Sequence, residues 1–204
     1  PELSLREEKT AAKLADRLRA LGFAVTERVG GHGVVGVLRN GDGPTVLVRT
    51  DMDALPIREE TGLPHASVVS VRSEGGESVP VMHACGHDGH TAIGLTVAKI
   101  LNERKHELKG NIKFCFQPSE EGTNGEEIGG ALMMMRDGVL EGPKVEKTLS
   151  LHLWNDKPLG WLHVASGPVM AGADLFSIKL TGKGGHGAAP ETTIDPIVCA
   201  AQIV

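Results

Sequence analysis

Apolar positions along the chain recur with two spacings, which predict alternating helices and strands. Helical spacing is seen first at Ala11, Leu14, Ala15, Leu18 and Leu21. It returns over residues 89–104 and over the Leu- and Met-rich residues 130–136. Apolar, β-rich runs predict strands at 23–29, 34–39, 45–49, 79–82, 111–116, 148–151 and 161–165. Alternating strands and helices are typical of an α/β layered domain, in which a run such as 45–49 is buried on both faces.

Local signals mark where the first helix begins and ends. Ser4 is followed three residues later by Glu7, the spacing of a capping box in which each side chain bonds the backbone of the other residue. Gly22 follows the last apolar position of the helix, where glycine commonly terminates a helix. These signals predict a helix that starts just after Ser4 and stops at Gly22.

The pattern changes near residues 167–172, which predicts a domain boundary. Beyond it, residues 173–181 alternate between apolar and polar, as in a half-exposed antiparallel strand, and a glycine-rich loop and an apolar helix follow. We therefore expect one α/β domain over 1–170 and the start of an α+β domain over 171–204. Since the chain lacks an initial Met and its final apolar helix has no stop signal, we expect it to be a piece of a longer protein.

Composition and charge exclude several classes of function. The chain has 21 basic and 26 acidic residues, a net charge of −5, so neither a nucleic-acid groove nor an anionic-membrane surface is expected. No apolar stretch reaches the length of a membrane span, and the N-terminal residues do not resemble a signal peptide. Three cysteines do not make a disulfide framework, which favours the cytoplasm.

Polar side chains cluster where four predicted strands end. The segments that follow these strands are Thr50-Asp51-Met52-Asp53, His83-Ala84-Cys85-Gly86-His87-Asp88, Gln117-Pro118-Ser119-Glu120-Glu121 and His152-Leu153-Trp154. In open α/β sheets, sites form beyond the carboxyl ends of the strands. Solvent-exposed polar residues without a function do not readily explain why all four strand ends supply Asp, Cys, His or Glu.

The residue types in these segments favour metal-assisted hydrolysis. Cys85 and His87 flank one glycine and offer a thiolate and an imidazole to one divalent ion. Glu120 and Glu121 could supply a carboxylate ligand beside a free carboxylate base, the pairing needed to activate water. Two glutamates on a solvated loop, or a nucleophilic Cys85 paired with a histidine, remain open on these residues alone.

Five motifs, in this order, resemble the metal-dependent amidohydrolase and aminoacylase peptidase family that includes hippurate hydrolase, N-acyl-L-amino-acid amidohydrolases and indole-acetyl-amino-acid hydrolases. They are Asp51-Met52-Asp53-Ala54-Leu55-Pro56, His83-Ala84-Cys85-Gly86-His87-Asp88, Gln117-Pro118-Ser119-Glu120-Glu121-Gly122, Leu151-His152 and Gly182-Lys183-Gly184-Gly185-His186-Gly187-Ala188-Ala189-Pro190. The resemblance implies a zinc-exopeptidase-like α/β/α sandwich. It also implies an inserted α+β, ferredoxin-like lid or dimerisation domain, of which the chain holds only the start.

The resemblance also implies a role for each matching residue. Glu120 corresponds to the general base and acid, Asp53 to the acidic residue that orients a ligand, and His186 to a lid histidine that contacts substrate. The implied metal ligands are Cys85, His87, Glu121 and His152.

The implied cofactor is a pair of divalent ions, Zn, Mn, Co or Ni, in a homodimer or higher homo-oligomer. The implied substrate is an N-acyl amino acid or a similar small amide. The chain departs from the family pattern at two places. A further histidine ligand is expected beyond Val204, and residues 191–195 lack the histidine that commonly follows the position of Pro190.

Two alternatives to amide hydrolysis remain at this stage. The chain could be a truncated, non-catalytic module that binds a metal or ligand, since a metal ligand and most of the lid are expected elsewhere. It could also be a cysteine hydrolase that uses Cys85 as the nucleophile.

Overall fold

The computed structural model describes residues 1–73, 75–122, 129–172 and 176–203. The chain divides into two compact units, Pro1–Lys157 and Pro158–Val204.

The described residues form seven strands and four α-helices. The strands are β1 (Ala24–Val29), β2 (Gly33–Leu38), β3 (Thr45–Asp51), β4 (Ser70–Arg72), β5 (Ser78–Pro80), β6 (Asn111–Gln117) and β7 (Lys147–Ser150). The helices are α1 (Glu8–Ala20), α2 (His87–Glu103), α3 (Gly130–Arg136) and α4 (Pro196–Ile203). The alternation of strands and helices predicted from the sequence is therefore confirmed over the first unit.

A five-stranded mixed sheet forms the centre of the first unit. Its strand order is β1-β2-β6-β3-β7. β1 pairs antiparallel with β2 and β2 antiparallel with β6, whereas β3 lies parallel to both β6 and β7. The carboxyl ends of β6, β3 and β7 consequently meet at one edge of the sheet, where a site was expected.

Both faces of the sheet are covered, because side chains of β6 alternate between them. Phe114 and Phe116 point to the face covered by α1 and α2, where they pack in one apolar cluster with Leu18. Cys115 points to the opposite face and packs against Met134 of α3. The two clusters give the α/β/α layering that the family resemblance implied.

Lys113 is a charged residue inside the layer of α3. Its side chain is buried, and its Nζ donates to the carbonyl oxygens of Val139 at 2.8 Å, Glu141 at 2.5 Å and Pro143 at 3.0 Å. Burial lowers the pKa of Lys113, since the charged amine loses its contact with water. The three carbonyl groups compensate part of that loss and fix the segment after α3 against the sheet.

The predicted capping box at the start of α1 is wrong. Glu7 is the residue that caps the helix, but its side chain makes no bond to the helix backbone, and neither does that of Ser4. Both side chains are buried and bond residues elsewhere in the unit. The side chains of Ser4 and Glu7 therefore bond residues distant in the sequence instead of the backbone of α1. Gly22, with a φ of 83°, follows the helix as predicted.

Two strand predictions in the second unit were also wrong. Residues 161–165 and 176–181 form no strand, and the remainder of the predicted strand at 173–181 lies outside the described residues. A strand requires a partner edge, and in the described part of the second unit the only bridge joins Lys183 to Ile194. The segment before His83 does contain a strand, but β5 pairs with β4 in a separate antiparallel hairpin.

The second unit contains α4 and one short 3₁₀ turn at Pro190–Thr192 within its described residues. Apolar side chains of α4, such as Ile197 and Val198, are exposed. Across the described residues, no helix has both the length and the apolar character needed to cross a membrane.

The contact between the β1–β2 turn and α3 generates a prediction about stability. Gly30 has a φ of 65°, and a Cβ added there would lie 2.5 Å from the backbone nitrogen of Met134. Gly41 also has a positive φ, 89°, but a Cβ there would meet nothing within 4 Å. We expect Gly41→Ala to cost about 1–2 kcal/mol of unfolding free energy from backbone strain. Gly30→Ala should cost about 1–3 kcal/mol more, since α3 must move.

Urea unfolding of the two variants measures this difference directly, because Gly41→Ala carries the strain without the collision. Equal unfolding free energies would show that α3 does not pack on the turn as described.

Candidate metal centre

Five segments of the first unit meet at the carboxyl edge of the parallel strands. β3 leads into Asp51 and Asp53, β6 into Glu120 and Glu121, and β7 into His152. The chain between β5 and α2 contributes Cys85, and α2 begins with His87. The register of the parallel strands, in which Asp51 lies opposite Gln117, aligns the first two of these ends.

His87 is the residue around which the other groups are arranged. Its ring is fully buried, and its Nδ1 lies 3.1 Å from Asp53 Oδ1 and 3.0 Å from the Asp53 carbonyl oxygen. Both neighbours are acceptors, so Nδ1 carries a proton and Nε2 is the nitrogen available to a ligand. A carboxylate that fixes the tautomer of a histidine in this way is common behind metal ions.

Asp53 is held by donors from three parts of the chain. Besides His87, the Ser4 hydroxyl donates to its Oδ2 at 2.7 Å and the Glu121 backbone N–H donates to the same oxygen at 2.9 Å. Burial alone would raise the pKa of Asp53, but these hydrogen bonds outweigh it and hold the pKa below its ordinary value. Asp53 is therefore ionised and fixes both His87 and the backbone of the glutamate loop.

The other atoms that could bind a metal ion lie close to His87 Nε2. This nitrogen is 3.8 Å from Glu121 Oε1, 3.8 Å from Glu120 Oε2 and 3.6 Å from Asp51 Oδ1. Cys85 Sγ lies 3.4 Å from His152 Nε2, and one ligand atom each from Cys85, His87 and His152 falls within 4.8 Å of the others. The structure thus brings together six of the seven residues singled out in the sequence.

Two observations indicate that these groups fit a divalent cation. His87 Nε2 and Glu121 Oε1 are both buried, and neither has a hydrogen-bond partner in the described residues. Buried polar atoms are costly when unpaired, and a shared cation would satisfy both. The combination of thiol, imidazole and carboxylate suits borderline metals such as zinc, and sulfur makes Mg²⁺ or Ca²⁺ unsuitable.

The electrostatics of the cluster also favour a divalent cation. Burial, together with the charges of Glu121 and Glu120, raises the pKa of Cys85 to about 12. Burial and the charge of Asp51 raise the pKa of Glu120. Burial lowers the pKa of His87, but Asp53 and Asp51 outweigh it and raise that pKa overall. Excess negative charge in a buried space is what a divalent cation neutralises.

Asp51 lies in the first motif without an implied role, and His90 lies just beyond the second motif. His90 Nδ1 lies 2.5 Å from Asp51 Oδ1, and Arg49 donates to the other carboxylate oxygen at 2.8 Å. His90 Nε2 accepts the Leu153 backbone N–H at 2.8 Å, which fixes the chain beside His152. The available signal was the spacing of His87 and His90, which puts both on one face of α2.

His186 lies in the second unit and is exposed. Its Nδ1 accepts a hydrogen bond from the Ala188 backbone N–H at 3.1 Å within its own loop. It is the one predicted site residue outside the unit that contains the other six.

Comparison with known proteins identifies the class. Residues 47–203 match the peptidase family M20/M25/M40, and the chain belongs to that family. The protein YhaA of Bacillus subtilis strain 168 is 47% identical over all of this chain and 48% of its own length. The N-acyl-L-amino acid amidohydrolase of Geobacillus stearothermophilus is 41% identical over all of this chain and 51% of its own length.

A solved structure supports the fold. The crystal structure of a dinuclear metal-binding peptidase of the M20 family from Bacillus subtilis matches with a TM-score of 0.65 and 39% identity. The match covers 78% of this chain and 41% of that one. The chain spans about half the length of the curated relatives it matches.

The Asp51–His90 pair generates a second prediction. His90→Phe keeps a ring in place but leaves the Asp51 carboxylate and the Leu153 N–H without this partner. We expect a loss of about 1–3 kcal/mol in unfolding free energy, since the buried Asp51 carboxylate loses one of its hydrogen-bond partners. His106→Phe, at an exposed position, should change it by less than about 0.5 kcal/mol.

Urea unfolding of the metal-free protein measures both changes. Equal stability of the two variants would mean that the buried pair does not hold the chain beside His152.

Proposed function

We propose that the protein is a metal-dependent hydrolase that cleaves the amide bond of N-acyl amino acids or similar small amides. The observation that carries the proposal is the difference in environment between two adjacent glutamates. Glu121 directs toward His87 a buried oxygen that has no hydrogen-bond partner among the described residues, whereas the side chain of Glu120 is 38% exposed beside the same His87 nitrogen. One carboxylate is thus suited to ligation and the other to exchanging a proton with a bound molecule.

The proposed ligands are those that the family resemblance implies, namely Cys85, His87, Glu121 and His152. Cys85, Glu121 and His152 each place a ligand atom within 4.8 Å of one of His87. Divalent ions held there supply two effects, acidification of a bound water and polarisation of the amide carbonyl. Two ions per site are proposed from the resemblance and from the relative described as dinuclear. Zn, Mn, Co and Ni are all compatible with a mixed sulfur, nitrogen and oxygen site.

Glu120 is proposed as the general base and acid. It would take a proton from the attacking water and deliver it to the leaving amine nitrogen. Burial and the nearby Asp51 raise its pKa, which makes its carboxylate a better proton acceptor than an ordinary exposed glutamate. Asp53 would act indirectly, by holding His87 in the tautomer that presents Nε2 to the ions.

His186 is proposed to contact the substrate from a lid domain that begins near residue 171, with 1–170 as the catalytic domain. Support comes from the exposure of His186 and from the glycines that flank it in the sequence, since they allow a ligand to approach closely. As a donor, the imidazole could stabilise developing charge on the carbonyl oxygen or bind the substrate carboxylate.

The substrate, assembly and location form the remainder of the proposal. A small N-acyl amino acid is supported by the name of the amidohydrolase from Geobacillus stearothermophilus. A homodimer or higher homo-oligomer is proposed from the family resemblance alone. A cytoplasmic location is supported by the three cysteines, all of which are free thiols.

The raised pKa of Cys85 disfavours the cysteine-hydrolase alternative. A nucleophilic cysteine needs a pKa low enough to populate the thiolate, and the pKa of Cys85 is raised to about 12 by burial and by nearby carboxylates. Cys85 is better suited to bind a cation that displaces its proton.

The first functional prediction concerns Glu120. In the full-length protein, we expect Glu120→Gln to lower kcat for an N-acetyl amino acid by about 10²–10⁴-fold, the usual contribution of a general base or acid. Metal content should stay at the wild-type level, because the proposed ligands are intact. Steady-state kinetics and elemental analysis give both readings.

Glu146→Gln is the matched control, since Glu146 is an exposed glutamate of the same unit. It should leave both readings unchanged. Wild-type turnover by Glu120→Gln would refute the assignment. Metal binding without turnover by the full-length wild type would instead favour the non-catalytic module.

A second functional prediction separates metal chemistry from cysteine chemistry. A chelator should abolish amide hydrolysis by the full-length protein, and added Co²⁺, Mn²⁺ or Zn²⁺ should restore it. The bound ion should also protect Cys85 from an alkylating agent, because a ligating thiolate is not free to react. Hydrolysis that survives the chelator but is destroyed by alkylation would support the cysteine hydrolase.

A further inference from the structure

We propose that the segment of residues 2–7 is a positioning element of the metal centre, in which Ser4 and Glu7 fix Asp53 and the Glu120–Glu121 loop and thereby raise metal affinity. The inference rests on the proposed function only in requiring that a divalent ion binds at this centre. It assigns a task to the two residues that resemble a capping box but do not form one.

The segment is attached to the end of β3. The Ala54 backbone N–H donates to the Glu2 carbonyl oxygen at 2.8 Å, and Leu3 pairs with Ala54 in an isolated parallel bridge. These contacts place Ser4 and Glu7 beneath the site rather than at the surface. Both side chains are buried, Ser4 with 6% exposure and Glu7 with none.

Ser4 acts on the carboxylate that orients His87. Its hydroxyl donates to Asp53 Oδ2, the oxygen that also accepts the Glu121 N–H. The other carboxylate oxygen faces His87 Nδ1. Without the Ser4 hydroxyl, one of the restraints on the rotation of this carboxylate is lost.

Glu7 acts on the loop that carries both glutamates. Its Oε1 accepts the Ser119 backbone N–H at 2.8 Å, and the Ser119 carbonyl oxygen accepts the Gly130 N–H at 3.0 Å. Ser119 has a φ of 47°, in the left-handed region that residues other than glycine rarely adopt. The turn therefore needs support on both sides, and it determines the direction in which Glu120 and Glu121 leave β6.

The energetics of Glu7 argue against a purely stabilising role. Burial raises the pKa of Glu7 above its ordinary value, and Oε2 is buried without a hydrogen-bond partner in the residues described. An apolar side chain would close the same space without that desolvation penalty. A buried acid that instead bonds the backbone next to two site glutamates is better explained by positioning.

The two residues act together because their targets belong to one loop. Glu7 holds the N–H of Ser119, and Ser4 holds the carboxylate that binds the N–H of Glu121. Glu120 lies between these two fixed points. One turn of chain near the N-terminus thus orients donor groups at the ends of both β3 and β6.

The test measures the affinity of the full-length protein for Co²⁺ by competition with a chromophoric chelator. We expect Ser4→Ala and Glu7→Ala to bind Co²⁺ about 10–100-fold more weakly than the wild type, the usual effect of removing a group that supports metal ligands. Ser4→Thr keeps a hydroxyl and Glu7→Gln keeps an acceptor oxygen, so both should regain much of the affinity. Ser78→Ala and Glu8→Ala, at exposed positions, are the matched controls.

A second reading in the metal-free protein separates positioning from general destabilisation. Amide hydrogen exchange of residues 117–122 should be faster in Glu7→Ala than in the wild type, with exchange in α2 unchanged. A purely structural role would lower stability throughout the unit and leave the Co²⁺ affinity of the folded protein unaltered.

The outcomes distinguish this inference from the proposed function. Wild-type Co²⁺ affinity in a folded Ser4→Ala or Glu7→Ala variant would overturn the positioning role while the proposed hydrolase stands. If Glu7→Ala does not fold, Ser4→Ala, which removes a single oxygen atom, decides the question with Ser4→Thr as its rescue. Absence of Co²⁺ binding by the wild type would overturn both, whereas weakened binding in the variants of a protein that hydrolyses no amide would support positioning alone.

Discussion

The hydrogen bonds to the buried Asp53 carboxylate are the constraint on which the rest of the site depends. Their donors come from the N-terminal segment, from the start of α2 and from the loop after β6. Satisfying a buried carboxylate requires all three segments to be in place at once. Asp53 therefore links the packing of α1 and α2 on one face of the sheet to the orientation of His87 and Glu121 at its edge.

Around Asp53, the site concentrates negative charge in a largely buried part of the unit. Asp51, Asp53 and Glu121 lie within a few ångströms of His87, and the raised pKa of Cys85 reflects its burial together with the nearby carboxylates. Such an arrangement is costly for the free protein and favourable once a cation is bound. Arg49 offsets part of the repulsion by donating to Asp51, and it also bonds Gln117 across β3 and β6.

Much of the fold could be predicted because its signals are local. The apolar run that became β3 and the helical spacing that became α1 and α2 lie close to their observed bounds. Strand order could not be read in this way, since the antiparallel position of β2 beside β6 depends on residues about 80 apart. The failed strand at 161–165 illustrates the same limit, because a β pattern becomes a strand only beside a partner.

The sequence by itself determined which residue types are available and at which strand ends they occur. Four of the seven proposed site residues, Asp53, Glu120, Glu121 and His152, meet because parallel strands bring their carboxyl ends to one edge. Cys85 and His87 reach the same edge from the chain between β5 and α2 and from the start of α2. Only the tertiary structure decided the roles of Ser4, Glu7, Asp51 and His90, whose partners lie far away in the chain. A Ser-x-x-Glu spacing can satisfy a helix terminus or a distant site. The tertiary packing around Ser4 and Glu7 decides which of the two they bond, because a polar group removed from water must bond a partner within reach.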